Sequence, residues 1–281
     1  MNGTKGRRWA VVGCLVALAA CATGPAATAW QDRSELQAAA EAGDAVAQFR
    51  LGLAHDDGAG GPVDAFSARQ WYGRAAAQGH PAAMTNLGLL CYDGRGGELD
   101  RLAARSWFER AAAAGFAKAS CNLGVMQFYG QGGPRDVDAA CRNLEVAALQ
   151  GDARAQSVLG SIHYEGAGRP QDRAAAARWY GLAAAQGVAS AQHRLGVLCL
   201  RGDGVAVDEA AGVRWLLAAA QQGHPGAAHD LALCYARGSG VTKDLAVARH
   251  WLQQAAAQGM AAAVAKLAAL DQQAALAMPV R

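Results

Sequence analysis

Two periods are superimposed in the apolar positions of this chain. The short one is helical. In residues 188–223, Ala191, Leu195 and Leu198 fall at i, i+4 and i+7, the spacing of one helical stripe. Gly202 and Gly204 interrupt it, and a second stripe follows through Ala211, Trp215, Leu216, Ala219 and Ala220 before Gly223. Glycine closes a helix C-terminus in the left-handed conformation without steric cost. The segment therefore predicts helix, turn, helix, turn. The long period is 36 residues, and it sets Leu51, Leu87, Leu123, Leu159, Leu195, Leu231 and Leu267 in one column. A unit of this size cannot bury its apolar face alone, so the period predicts stacked helical hairpins without a single globular core.

Other columns keep the same register. The turn glycines recur as the pairs Gly58/Gly60, Gly94/Gly96, Gly130/Gly132, Gly166/Gly168, Gly202/Gly204 and Gly238/Gly240, and a further glycine closes each unit from Gly79 to Gly259. These turns follow no strand and carry no Lys-Ser/Thr, so they are turns and not phosphate cradles. Asp64, Asp100, Asp136, Asp172, Asp208 and Asp244 each precede the second stripe, where a carboxylate accepts backbone N–H bonds at a helix N-terminus. Trp71, Trp107, Trp179, Trp215 and Trp251 form an aromatic column in which Asn143 is the one break, predicting a weaker or more open third repeat. The next column is Tyr72, Phe108, Leu144, Tyr180, Leu216 and Leu252, followed by alanine pairs. Large rings beside alanines at helical spacing read as packing between layers.

The fourth repeat shows the whole pattern: Ala155, Leu159-Gly160, Gly166-x-Gly168, Asp172, Ala176, Trp179-Tyr180, Ala183-Ala184 and Gly187. This resembles the Sel-one-like repeat, a relative of the tetratricopeptide repeat, over roughly residues 32–270. The resemblance implies an all-α fold, an α-α superhelical solenoid of about six 36-residue helix-turn-helix repeats plus capping helices. It also implies an adaptor that binds proteins or peptides, with the first helices lining the concave face. Residues 32–43 align with the second helix of a repeat, a capping half unit, and residues 271–281 form a polar C-terminal tail in which Pro279 ends the helical pattern.

The N-terminus is of another kind. Lys5, Arg7 and Arg8 precede the apolar run of residues 9–20, which is too short for a comfortable membrane span and has the form of a secretory signal. Leu18-Ala19-Ala20-Cys21 resembles the lipobox of bacterial lipoproteins. That resemblance implies a signal peptide over 1–21, a lipid anchor on Cys21, a linker over 22–31, and, with Ala22 next, outer-membrane sorting with the chain facing the periplasm. Cleavage after Ala27-Thr28-Ala29 is the alternative and leaves a soluble periplasmic or secreted protein.

Charge adds little. Of 26 basic residues three lie in the leader, leaving 23 against 23 acidic, with no basic patch to suggest nucleic acid. Past Cys21 there are five cysteines: Cys91, Cys121, Cys141, Cys199 and Cys234. Cys121 with Cys141, or Cys199 with Cys234, are the pairings the repeat brings near each other; buried free thiols are the default. One branch of the resembled family bridges its repeats through regularly recurring cysteine pairs, and no such pair recurs here. The column His55, Cys91, Gln127, His163, Cys199 and Tyr235 invites a metal reading, but equivalent positions in neighbouring repeats lie roughly 10 Å apart, too far for a compact tetrahedral site. No nucleophile–base motif stands out, so no catalytic residue, metal or cofactor is expected. Relatives in the resembled family have been linked to β-lactam binding and weak hydrolysis, which is the alternative of an enzyme class. A structural envelope or secretion factor is a third.

The positions left for a partner vary in type while their neighbours repeat. They lie on the first helices, one residue before each Leu of the 36-residue column and six after it. The first set is Arg50, Asn86, Asn122, Val158, Arg194 and Asp230. The second is Asp57, Asp93, Tyr129, Glu165, Arg201 and Arg237, acidic in the early repeats and basic in the late ones. A partner of opposite polarity would be read in one direction by such a gradient. The candidate partner-binding residues are Asn86, Asn122, Arg194, Asp93, Tyr129, Glu165, Arg201 and Arg237.

Overall fold

A computed structural model describes residues 33–276. The described residues form helices joined by turns, with no strand among them. In order these are α1 (Arg33–Glu41), α2 (Ala45–Asp57), α3 (Ala65–Ala77), α4 (Pro81–Asp93), α5 (Arg101–Ala113), α6 (Ala117–Tyr129) and α7 (Val137–Leu149), then α8 (Ala153–Glu165), α9 (Arg173–Ala185), α10 (Ala189–Arg201), α11 (Glu209–Gln221), α12 (Pro225–Arg237), α13 (Leu245–Ala257) and α14 (Ala261–Leu276). The expected α-α solenoid is what forms. α14 runs six residues past the end expected for the repeats. The leader and Cys21 lie outside the described residues.

The chain divides into two compact units, with the boundary after Ala114. In the first, α2/α3 and α4/α5 are hairpins, with α1 packed on α2 as the half-unit cap and α3 on α4. In the second, α6/α7, α8/α9, α10/α11 and α12/α13 are the hairpins, and α14 closes the stack against α13. The six leucines from Leu51 to Leu231 are all buried. In the second unit the first helices α8, α10 and α12 approach one another across layers more closely than the second helices do, which puts the first helices on the inner side of that stack.

Each hairpin is closed at its aspartate by two sets of bonds. The Asp N–H donates to a carbonyl in the last turn of the first helix, from Asp64 to His55 through Asp244 to Tyr235, at 2.8–3.0 Å in all six repeats. The carboxylate accepts from the N–H three residues on: Ser67, Ala103, Ala139, Ala175, Ala211 and Val247. The aspartates are caps, as their position predicted. The carbonyl partners are the His/Cys/Gln/Tyr column, whose side chains are free to differ because the repeat uses its backbone.

Two glycine columns exist for close approach. A Cβ on Gly96 would stand 2.1 Å from Ala65 O, and one on Gly204 2.3 Å from Arg173 O. The second turn glycine thus lies against the start of the second helix of the preceding repeat. The glycine after each column leucine faces the ring column instead. A Cβ on Gly52, Gly88 or Gly160 would come within 2.6–2.7 Å of Tyr72, Phe108 or Tyr180. In the sixth repeat the pair is Ala232 with Leu252, both buried. The smaller ring-column residue admits the methyl there, although in the third repeat a Cβ on Gly124 would still come 2.7 Å from Leu144.

A second polar device links layers. Gln48 Nε2 donates to Ala40 O, and its own Oε1 accepts from Gln78. Gln156 joins Ala148 O to Gln186 in the same way, and Gln192 joins Ala184 O to Gln222. Each buried Gln therefore ties the C-terminal end of one second helix to that of the next. Asn143, expected to open the third repeat, does not. Its Nδ2 donates 2.8 Å to Gln127 Oε1 and 3.2 Å to Ala139 O, replacing ring packing by a hydrogen-bonded bridge across the hairpin. The five tryptophans are half-buried, and Trp179, Trp215 and Trp251 pack on clusters that contain the preceding repeat's helices.

At the repeat junctions the N-cap is Asp44, His80, Asp152 or His224, the histidines accepting through Nδ1 from Ala83 and Ala227. Phe116 and Val188 supply no side-chain cap. Only a ring unprotonated at Nδ1 can accept this bond. Burial holds His80 below the ordinary histidine range, and burial then the neighbouring His193 do so for His224.

Two predictions follow from this packing. Gly160→Ala gains about 1 kcal/mol of helix propensity but forces a methyl into the Tyr180 ring, at about 1–3 kcal/mol. Adding Tyr180→Leu recreates the Ala232/Leu252 pair. A double-mutant cycle in urea should therefore show a favourable coupling of about 1 kcal/mol or more; additive effects would mean the ring does not set the glycine. The second concerns pH. The folded chain prefers neutral His80, so this cap's stability is present above the unfolded value of about 6.5 and is lost as pH falls through the lower folded value. Asp caps the same column in Asp44 and Asp152, so His80→Asp keeps a cap in acid. The melting temperature of the wild type minus that of His80→Asp should fall from about pH 7.5 to about pH 5, by the equivalent of about 1 kcal/mol. A difference that stays constant with pH would remove the Nδ1 cap from the account.

Candidate partner-binding face

The second set of variable positions has a simple structural address. Asp57, Asp93, Tyr129, Glu165, Arg201 and Arg237 are the last helical residues of α2, α4, α6, α8, α10 and α12. Each is followed by the left-handed glycine that ends the helix, which turns the backbone away and leaves the side chain at the rim of the hairpin. In the first unit Asp57 and Asp93 are exposed. In the second, Tyr129, Arg201 and Arg237 are exposed and Glu165 is half-buried. Burial pushes the carboxyls of Asp93 and Glu165 up, against the nearby Arg95 and Arg194 that pull them down.

The first set divides. Arg194 is exposed on the middle of α10. Asn86 is half-buried near the Tyr72 hydroxyl. Asn122 is only 7% exposed, a correction to the expectation that it faces a partner: Arg154 from the next repeat donates 2.8 Å to its Oδ1 and covers it. Asp230 is likewise engaged. Its carboxylate meets His193 Nε2 at 2.8 Å and His229 Nδ1 at 3.0 Å, and the His193 ring packs on His224 at 4.7 Å. These two hydrogen bonds lower the Asp230 carboxyl, against burial that raises it. None of this was readable from the columns, because each contact joins residues of different columns whose identities do not recur. The pairing of Asn122 with Arg154, 32 residues apart, has no periodic signal at all.

The chemistry available for catalysis is sparse. Among the described residues no group of three or more His, Cys, Asp or Glu is placed to hold a metal ion. The five cysteines past the leader are free thiols, and all but Cys199 are buried. Cys121 and Cys141 share one apolar cluster without bonding to each other. Burial pushes Cys121 up to about 12 and Cys234 up to about 11, so both stay protonated and unreactive at neutral pH. A shallow, open hollow near the fourth turn is bordered by Asp138, His163, Arg169 and Arg173. Its arginines are paired, Arg169 with Glu145 and Arg173 with Asp203, and Asp172 beside it is spent on its cap.

The sequence model of the Sel1 repeat matches six consecutive segments: residues 45–80, 81–116, 117–152, 153–188, 189–224 and 225–260. The chain belongs to the Sel1 repeat family. Each matched segment begins where a first helix begins and ends just past the glycine that closes the second. Among solved structures, this Sel1 repeat chain is similar to c5321, a protective antigen present in uropathogenic Escherichia coli strains and displaying an SLR fold. The two are 34% identical, with a TM-score of 0.81 over 87% of this chain and 52% of the antigen's, so this chain spans about half the antigen's length. It is also similar to a Sel1 repeat protein from Oxalobacter formigenes, at 30% identity and a TM-score of 0.71, covering 79% of this chain and 89% of the other. No curated protein matches the chain.

Proposed function

We propose that this Sel1 repeat chain is a non-catalytic scaffold of the bacterial cell envelope that holds a protein or peptide against the inner side of its first helices. One observation carries the reading. The frame repeats column by column, yet the helix-end positions Tyr129, Glu165, Arg201 and Arg237 vary from aromatic to acidic to basic, and all but the half-buried Glu165 are exposed, as is the mid-helix Arg194. A helix C-terminus favours cations, so folding accounts for Arg201 and Arg237 but not for Tyr129 or Glu165 in the same column. An extended partner crossing the second unit would meet an aromatic residue, then a half-buried acid, then two arginines. Exposed charges of this kind set orientation and encounter rate more than affinity.

The envelope placement rests on the leader. The apolar run and Leu18-Ala19-Ala20-Cys21 support secretion and a lipid anchor on Cys21, which would present the repeats to the periplasm from the outer membrane. Several acyl chains, at about 0.8 kcal/mol per buried methylene, suffice for stable attachment.

Photocrosslinking amino acids placed at Tyr129, Arg201 and Arg237 in cells should trap one common partner. Arg201→Glu with Arg237→Glu should cut its capture at least about tenfold, since each reversed rim charge adds repulsion where there was attraction, while circular dichroism stays unchanged. Full capture by the doubly reversed chain would leave these arginines without a role in binding. Separately, radiolabelled palmitate should enter the wild type and not Cys21→Ser; equal labelling of both would put the anchor elsewhere.

A further inference from the structure

Two columns that are mostly polar or small through the second unit, with the exposed Val207 as the exception, are large and apolar in the first. Just before the capping aspartate stand Val63 and Leu99, where the later repeats have Arg135, Gln171, Val207 and Lys243. At the second residue of the second helix stand Phe66 and Leu102, where the later repeats have Asp138 and then three alanines. The four apolar side chains are open to solvent: Val63 62%, Phe66 63%, Leu99 55% and Leu102 71% exposed. Single exposed apolar residues are ordinary on any surface; a contiguous set marks a contact.

The fold puts these four together. The turn at Gly96 lies so close to the start of α3 that an added Cβ would meet Ala65 O at 2.1 Å and Phe66 N at 2.8 Å. Leu99 leaves that turn, and Leu102 sits on α5 where Phe66 sits on α3. Arg69 fastens the arrangement by donating to Glu98 O. The first described residue comes to the same edge: Arg33 at the start of α1 donates to Ala59 O, beside the Gly60–Gly61 turn that leads into Val63.

The geometry points to this edge of the first unit as a bilayer-contacting surface, with Val63, Phe66, Leu99 and Leu102 entering the acyl–headgroup boundary. The inference rests on the proposed anchor at Cys21. Eleven residues, 22–32, separate that cysteine from Arg33. They span at most roughly 40 Å fully extended, so an acylated Cys21 keeps the edge that bears Arg33 within that reach of the membrane. Amphipathic surfaces of this kind settle about 5–10 Å into the interface. Nearby charge shows no basic excess, with Arg33, Arg69 and Arg101 against Asp57, Asp64, Asp93, Glu98 and Asp100. Contact is therefore through apolar groups and not through lipid charge.

The test uses the full chain carrying an environment-sensitive fluorescent amino acid at position 66, 102, 138 or 174, one per preparation. Each is added to vesicles of phosphatidylethanolamine and phosphatidylglycerol, three parts to one. At 66 and 102 the emission should shift to the blue and be quenched at least about twofold by lipids brominated high on the acyl chain, as residues at that depth are. At 138 and 174 it should stay unchanged. The response should survive a rise from about 0.1 M to about 0.5 M salt, which screens charge but not apolar burial. Silence at 66 and 102, or an equal response at all four positions, overturns the inference. So does a shift that appears with rising protein concentration and no vesicles, because a second copy then covers the patch. Palmitate incorporation measured on the same preparations separates the two readings. Labelled protein with silent probes at 66 and 102 rejects the surface alone. Unlabelled protein whose probes at 66 and 102 respond keeps the surface and rejects the anchor.

Discussion

The aspartate at the start of each second helix fixes the geometry on which everything else depends. It makes bonds in two directions at once. Its N–H reaches back to the first helix of its own repeat, and its carboxylate reaches forward to cap the second. A helix N-terminus leaves four N–H groups without partners, and a capping carboxylate recovers about 1 kcal/mol where it satisfies one. The larger effect is geometric. With both bonds made, the turn has no freedom left in length, and every helix from α2 to α13 has thirteen residues. Uniform length lets Gly52, Gly88 and Gly160 meet their rings, and Gly96, Gly204 and Gly240 meet the preceding repeat. One insertion between cap and stripe would put those contacts out of register.

Much of this frame is legible without coordinates, because a column that recurs must do the same work each time. Asp172 as a cap, Leu159 as core and the glycine turns follow from recurrence and elementary sterics. What recurrence hides is work done by the backbone. His55, Cys91 and Gln127 look unrelated as side chains, yet their carbonyls accept the same bond. It also hides contacts between columns. The amide relay through Gln156 needs glutamine at two positions thirty residues apart, and among the described residues three junctions have both halves. Asn143 reads as a gap in an aromatic column until its bond to Gln127 is seen. Asn122 reads as open surface until Arg154 lies over it. That Tyr129, Glu165, Arg201 and Arg237 end their helices is legible from spacing, since the last position of a helix follows once the turn glycine is known.

The rim also shows where folding physics stops being an explanation. A helix C-terminus carries partial negative charge, so cations there are favoured by about 0.3–1 kcal/mol and anions are disfavoured. Arg201 and Arg237 obey this rule, and helix stability alone would retain them. Asp57, Asp93 and Glu165 break it at the same position in other repeats. Nearby arginines lower the carboxyls of Asp93 and Glu165, but burial outweighs them and raises both. These acids oppose the fold that holds them, and nothing in the helices' own energetics accounts for them. Residues that break a local rule without compensation are where function is to be sought. On this argument the acidic positions carry more information about a partner than the arginines do. A partner that needs Glu165 must bring a cation to the inner side of the second unit, between Tyr129 and Arg201, where the frame itself supplies only Arg194.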